Sequence, residues 1–218
     1  MHTKNRTKLF LTIYLIFLML ISFSQPKEKY TVFPTNDKII FDFCFMENGE
    51  KLAVADNTDI RFFSVETLEL QSELSGGHSN RILTIDVSAD NSLLVSADRT
   101  GKIVIWDVKA KTQLKSFSME NSPVTALKIS PDSKHFIAGN SDGKVFVYDM
   151  ETGQKIYTLD KQNKDVTSVA YSPNGELFAM SGGDKTIYLY TKDGKLVTVL
   201  KGHKNWVREI LFAENPTA

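Results

Sequence analysis

The feature that most constrains this chain is a repeat with a period of about 42 residues. Trp106, Tyr148 and Tyr190 stand 42 residues apart, each late in a segment of similar make-up. These segments run from Arg81 to Phe117, Pro123 to Leu159 and Asp165 to Leu200. A more diverged copy, Ile39 to Leu74, precedes them with Phe63 in the aromatic place, and another begins after Gly202-His203.

Each copy reads as four short strands. In the copy from Pro123, Val124 to Ile129 alternates in polarity, and Ser130-Pro131-Asp132-Ser133 supplies turn residues. His135 to Ala138 is a second strand, and Asn140-Ser141-Asp142-Gly143 is a hairpin turn in which Gly tolerates positive φ. Lys144 to Asp149 and Lys155 to Leu159 complete the set. Short strands punctuated by Gly, Asn, Asp and Pro predict an all-β fold. One small sheet cannot bury both faces alone, so successive sheets are expected to stack around an axis.

These residues resemble the WD-repeat family. The marks are Gly77-His78 and Gly202-His203 before a first strand, Ser-Pro-Asp at Ser130 and Ser-Pro-Asn at Ser172. Ser141-Asp142-Gly143 precedes a third strand, and Trp106-Asp107 or Tyr148-Asp149 closes one. The resemblance implies a β-propeller of four-stranded antiparallel blades over residues 37–218. Blades are expected at 37–79, 80–121, 122–163 and 164–203, with 204–218 supplying the first strand of a fifth, Trp206 to Phe212. Seven blades, usual in that family, need on the order of 290 residues of repeats. The chain is therefore expected to form an open, incomplete part of such a ring. The resemblance also implies a structural hydrogen-bond network of His, Ser or Thr, Asp and Trp within a blade. The candidates are His78, Ser96 and Trp106, with Thr100 in the place of Asp; Asp142 with Tyr148; Asp184 with Tyr190; and His203.

The first 24 residues have a different character. Lys4, Arg6 and Lys8 precede an apolar run from Leu9 to Phe23, with small residues at Ser22 and Ser24. That is the layout of a signal peptide, and the run falls short of the roughly 20 apolar residues of a spanning helix. Residues 1–24 are expected to be removed after Ser24, with 25–36 as a lead-in. Export to the periplasm or the cell exterior follows, an uncleaved anchor being the alternative.

Charge and motifs narrow the function. Lys plus Arg equals Asp plus Glu at 26 each, so no basic excess marks nucleic acid. Cys44, the single cysteine, is flanked by Phe43 and Phe45 and reads as a buried small hydrophobe. No Cys/His spacing suits zinc, no phosphate loop appears, and the Asp and Asn near Asp56 and Asn48 lack EF-hand spacing. No metal or cofactor is expected. Gly139 to Gly143 matches G-x-S-x-G around Ser141, but that chemistry needs a helix after the turn, and Lys144 to Tyr148 reads as a strand.

The expected function is therefore a non-catalytic scaffold binding proteins or peptides, with no nucleic acid and no membrane contact beyond the signal segment. In the WD-repeat family, one face is built by the turns between second and third strands and the loops between fourth and first. Here that implies Asn80, Arg81, Arg99, Asn121, Ser141, Asp165, Lys185 and Trp206, with Arg81, Arg99 and Trp206 as anchors. The alternative is a propeller module of a larger secreted enzyme, for example a peptidase.

Overall fold

The computed structural model describes residues 39–160 and 164–213; residues 1–38, where a signal segment and lead-in were expected, and Lys161 lie outside the described residues. Among the described residues, sixteen strands form four antiparallel sheets, each a meander in chain order. The first sheet comprises β1 (Phe43–Met46), β2 (Lys51–Asp56), β3 (Asp59–Ser64) and β4 (Leu70–Leu74). The second comprises β5 (Ile82–Val87), β6 (Leu93–Asp98), β7 (Lys102–Asp107) and β8 (Thr112–Ser118). In the third are β9 (Val124–Ile129), β10 (His135–Asn140), β11 (Lys144–Asp149) and β12 (Lys155–Asp160). The fourth has β13 (Val166–Tyr171), β14 (Leu177–Gly182), β15 (Ile187–Thr191) and β16 (Leu196–Leu200).

The strands exist because every turn is locally specified. Ser130 Oγ donates to Asp132 Oδ1 at 2.6 Å and accepts from His135 N at 3.0 Å, closing the turn before β10. Ser88 with Asp90, and Ser172 with Asn174, repeat the device in the neighbouring sheets. Asp149 Oδ1 accepts from Thr152 N and Thr152 Oγ1, shaping the turn before β12.

Apolar cores lie between sheets. Between the second and third, Ile103 and Ile105 meet Leu127, Phe136 and Tyr148. Ile60 and Phe62 of the first meet Ile85, Leu94 and Trp106 of the second. Phe178, Met180 and Tyr190 of the fourth meet Val145 and Val147 of the third. Glycine permits the closest approach: a Cβ on Gly139 would collide with Val166 of the next sheet. The innermost strands β1, β5, β9 and β13 line an axial cleft of about 490 Å³.

Each inner strand, or the residue just before it, also hands a polar contact to the segment that follows along the arc. Asp42 Oδ2 accepts from Thr84 Oγ1 and Ile85 N, both at 2.9 Å. Asp86 accepts from Lys128 Nζ and Ile129 N, both at 2.7 Å. Thr125 Oγ1 donates to Val166 O at 2.6 Å, and Thr167 Oγ1 donates to Val207 O.

The arc is open. Ile85, Leu127 and Val169, at equivalent inner-strand positions, are 3%, 6% and 6% exposed because each packs on the preceding sheet. Phe43 holds the same position in the first sheet and is 56% exposed. Residues 206–212, expected as a strand, form none. A ladder needs a partner strand, and the described residues offer none there. The segment is held instead by Ser181 Oγ and Thr167 Oγ1, which donate to Val207 O, and by Ile210 N donating to Ser168 Oγ.

Candidate partner-binding face

One rim of the arc is built twice over in the second, third and fourth sheets, from the turn joining the second and third strands and from the loop leading into the first. Backbone hydrogen bonds lock the two together. Arg99 N donates to Arg81 O at 3.0 Å, Ser141 N to Pro123 O at 3.0 Å, and Gly183 N to Asp165 O at 3.0 Å. Neighbouring sheets join the same rim, since Ile82 N donates to Asn57 O at 2.8 Å. The expected face residues therefore belong to one continuous structure.

Their availability differs. Arg99, Asn80, Asn121 and Lys185 are exposed, and Trp206 is 42% exposed. Arg81 is half-buried, with its guanidinium 5.5 Å from the centroid of the Phe41 ring. Asp165 and Ser141 are also half-buried, and Ser141 Oγ lies 3.1 Å from Ser122 Oγ. The turn holding Ser141 passes into strand β11, so the residues lack the strand-turn-helix frame of a hydrolase nucleophile.

Beneath the rim, the second sheet contains a buried polar network. Trp106 Nε1 donates to Ser96 Oγ at 2.8 Å, Ser96 Oγ lies 2.7 Å from His78 Nε2, and His78 Nδ1 lies 2.9 Å from Asp98 Oδ2. With tryptophan donating to the serine oxygen, the serine hydroxyl hydrogen serves His78 Nε2, and the Nδ1–H tautomer serves Asp98. Asp98 Oδ1 in turn accepts from Thr100 N, Thr100 Oγ1 and Lys102 N, fixing the rim turn. Burial alone would raise the Asp98 carboxyl. The hydrogen bonds from His78 and Thr100 outweigh burial and hold it below the usual carboxylate value.

The acid is thus Asp98, two residues before Thr100, where the repeat pattern places it. Asp56, Asp98, Asn140 and Gly182 are equivalent, each ending the second strand of its sheet. Asp142 is consequently exposed outside the network, and Asn140 Oδ1 accepts from Asp142 N and Lys144 N in its stead. Asp184 serves its own turn, accepting from Thr186 N at 3.0 Å and Tyr188 Oη at 2.9 Å. Tyr148 and Tyr190 are buried and stack on Phe136 and Phe178 at 5.1 and 5.3 Å between centroids. Burial pushes both phenols up to about 12. His203 is exposed. Gly77 explains the Gly-His pairing, since a Cβ there would collide with the Trp106 indole.

Away from the rim, Cys44 is half-buried beside the cleft. Burial, then the Asp86 and Asp42 charges, push its thiol up and leave it a poor nucleophile. Burial likewise raises Asp86, opposed by Lys128. For Lys128, the Asp86 carboxylate overcomes burial and holds the ammonium charged. Among the described residues, no three His, Cys, Asp or Glu side chains group to hold a metal ion.

Four antiparallel four-stranded sheets around an axis, with a rim of locked loops, define a WD-like β-propeller. The chain belongs to the NUP159/214 β-propeller family, whose family model matches residues 40–211. It is also similar to the human lysosomal-trafficking regulator, at 30% identity over 110 residues covering 49% of this chain. The match spans 3% of that protein's length.

Proposed function

We propose that this chain is a non-catalytic protein-binding scaffold acting through the rim just described. The observation that carries this reading is the recurring lock between turn and loop. It fixes the backbone at Arg81 and Arg99, at Ser141, and at Asp165 before a partner arrives, so little ordering entropy opposes association. The family match and the similarity to a protein named for trafficking support an interaction role. The His78–Ser96–Asp98–Trp106 network further supports a place within the WD-repeat class proper.

Truncating Arg81, Arg99 or Trp206 to alanine should each weaken a partner's binding by about 1–2 kcal/mol, read by calorimetric titration. Unchanged affinity in all three variants would remove this rim from the account. Export belongs to the same proposal, supported by the basic, apolar, small-residue order from Lys4 to Ser24. N-terminal sequencing of the mature product should start near Gln25, and intact Met1 in a membrane fraction would point to an anchor.

A further inference from the structure

The turn between the first two strands is one device in three of the sheets and a different one in the first. Asp90, Asp132 and Asn174 stand 42 residues apart. Each side-chain oxygen accepts from the serine two residues earlier and from the backbone N–H two residues later. For Asn174 Oδ1 the donors are Ser172 Oγ at 2.8 Å and Glu176 N at 3.1 Å; Asp90 and Asp132 repeat the pair. The backbone N–H of the next residue, Asn91, Ser133 or Gly175, donates to that serine's carbonyl at 2.8 Å. Asn48 holds the same place in the first sheet, but Met46 replaces the serine and packs into the core shared with the second sheet. Glu50 N, the counterpart of Glu176 N, donates to Glu47 O at 3.2 Å instead. The Asn48 side chain is exposed and makes no hydrogen bond among the described residues. The backbone differs too. Glu47, Asn48 and Gly49 all have left-handed φ, of 50°, 56° and 93°, where each sister turn has one such residue. Glu47 in that region is strained.

We infer that Asn48 is a site of spontaneous modification, converting to aspartate and isoaspartate, while Asn174 is held against the same reaction. Both are followed by glycine, which has no side chain to shield its own nitrogen from the asparagine amide. A Cβ on Gly49 would meet nothing within 4 Å, so neighbouring groups leave room for a ring to close. The Gly49 nitrogen loses its proton and bonds to Asn48 Cγ. The Cγ–Nδ2 bond breaks, and ammonia leaves carrying a proton in exchange, which closes a cyclic imide. Water then opens the imide. Addition at Cγ gives aspartate in an unaltered chain. Addition at the backbone carbonyl carbon breaks its bond to the Gly49 nitrogen, and the chain then runs through the side chain as isoaspartate. One water enters and one ammonia leaves, with no oxidant or reductant. At Asn174 the bonds to Ser172 Oγ and Glu176 N, and the one from Gly175 N, must break before the ring can close. The Asn48 turn lies at the opposite end of the strands from the locked rim, so the inference does not depend on which rim docks partners.

The test is peptide-mapping mass spectrometry of the full-length chain held in mildly alkaline buffer, with the aspartyl and isoaspartyl forms separated by chromatography. Position 48 should convert at least about tenfold faster than position 174, because the Asn174 turn must first give up its hydrogen bonds. In the chain unfolded by guanidinium those bonds are absent, and the two positions should convert at similar rates. Ser172→Ala, with unaltered unfolding, should raise conversion at Asn174 and leave Asn48 as it was. If that variant does not fold, the comparison between folded and unfolded wild type still decides. The inference is overturned by equal rates in the folded chain, by a ratio that persists in denaturant, or by protection of both asparagines in the folded chain. A folded Ser172→Ala chain in which Asn174 keeps its slow rate would overturn it as well.

Discussion

The second and fourth sheets have the same strand order and nearly the same register, yet they are stabilised differently. In the second, Trp106, Ser96, His78 and Asp98 form a buried polar chain that ends in the rim turn. In the fourth, Tyr190 replaces Trp106, Met180 replaces Ser96 and Gly182 replaces Asp98. No such network forms there among the described residues, and Tyr190 is stacked on Phe178 at 15° between planes with Tyr171 edge-on to Phe178. The blade architecture therefore survives loss of the polar chain, because periodic apolar burial between sheets carries the fold. The network adds rigidity to one turn. The fourth sheet holds its turn with Asp184 instead, beside Gly183, where a Cβ would crowd Lys164 and Trp206.

Substitutions should expose this difference, the largest effect first. Trp106→Ala removes a buried ring and strands the Ser96–His78–Asp98 chain, so denaturant unfolding should show a loss of about 3–5 kcal/mol. A loss below that of a typical surface substitution would mean that the second sheet does not depend on its tryptophan. Gly77→Ala forces a methyl group against the indole and should cost about 1–3 kcal/mol by overpacking. A neutral result would show that the Gly-His loop can shift away.

Asp98→Asn gives the second sheet the side chain that the third already has at Asn140. The folded-state pKa of Asp98 is depressed, so its contribution is present above the ordinary carboxylate pKa of about 4 and is lost as pH falls through the lower folded value. Wild type and variant should differ most near neutral pH, by about 1–3 kcal/mol, and converge under acid. Parallel stability curves across that range would contradict the assignment of Asp98. The smallest effect should come from Tyr190→Phe. The Tyr190 hydroxyl is buried without a hydrogen-bond partner, so its removal should leave stability within about 0.5 kcal/mol of wild type.

How much of this was legible in the sequence depended on period and on local chemistry. The 42-residue spacing of Trp106, Tyr148 and Tyr190 was enough to place four meandering sheets, because inward apolar positions recur with it. The turns at Ser130 and Ser172 were legible from their own Pro, Asp and Asn. The network acid was harder to find. Asp98 and Thr100 are both polar and two residues apart on the same turn, and only side-chain geometry distinguishes them. The repeat did hold a signal, since Asp56, Asp98 and Asn140 recur 42 residues apart at the ends of second strands. Trp206 to Phe212 has the sequence of a strand, but ladder formation depends on a partner and cannot be read from one segment.

The central claim is that partners dock on the rim of locked turns and loops. Site-specific photo-crosslinking tests it most directly. A photoreactive residue at Arg99, Asn121 or Lys185 samples the rim, and one at Lys109, Glu151 or Asp193 samples the opposite turns between third and fourth strands. The rim positions should give partner adducts that disappear when Arg81 and Trp206 are truncated, while the opposite positions give none. Adducts confined to Lys109, Glu151 or Asp193 would contradict the account.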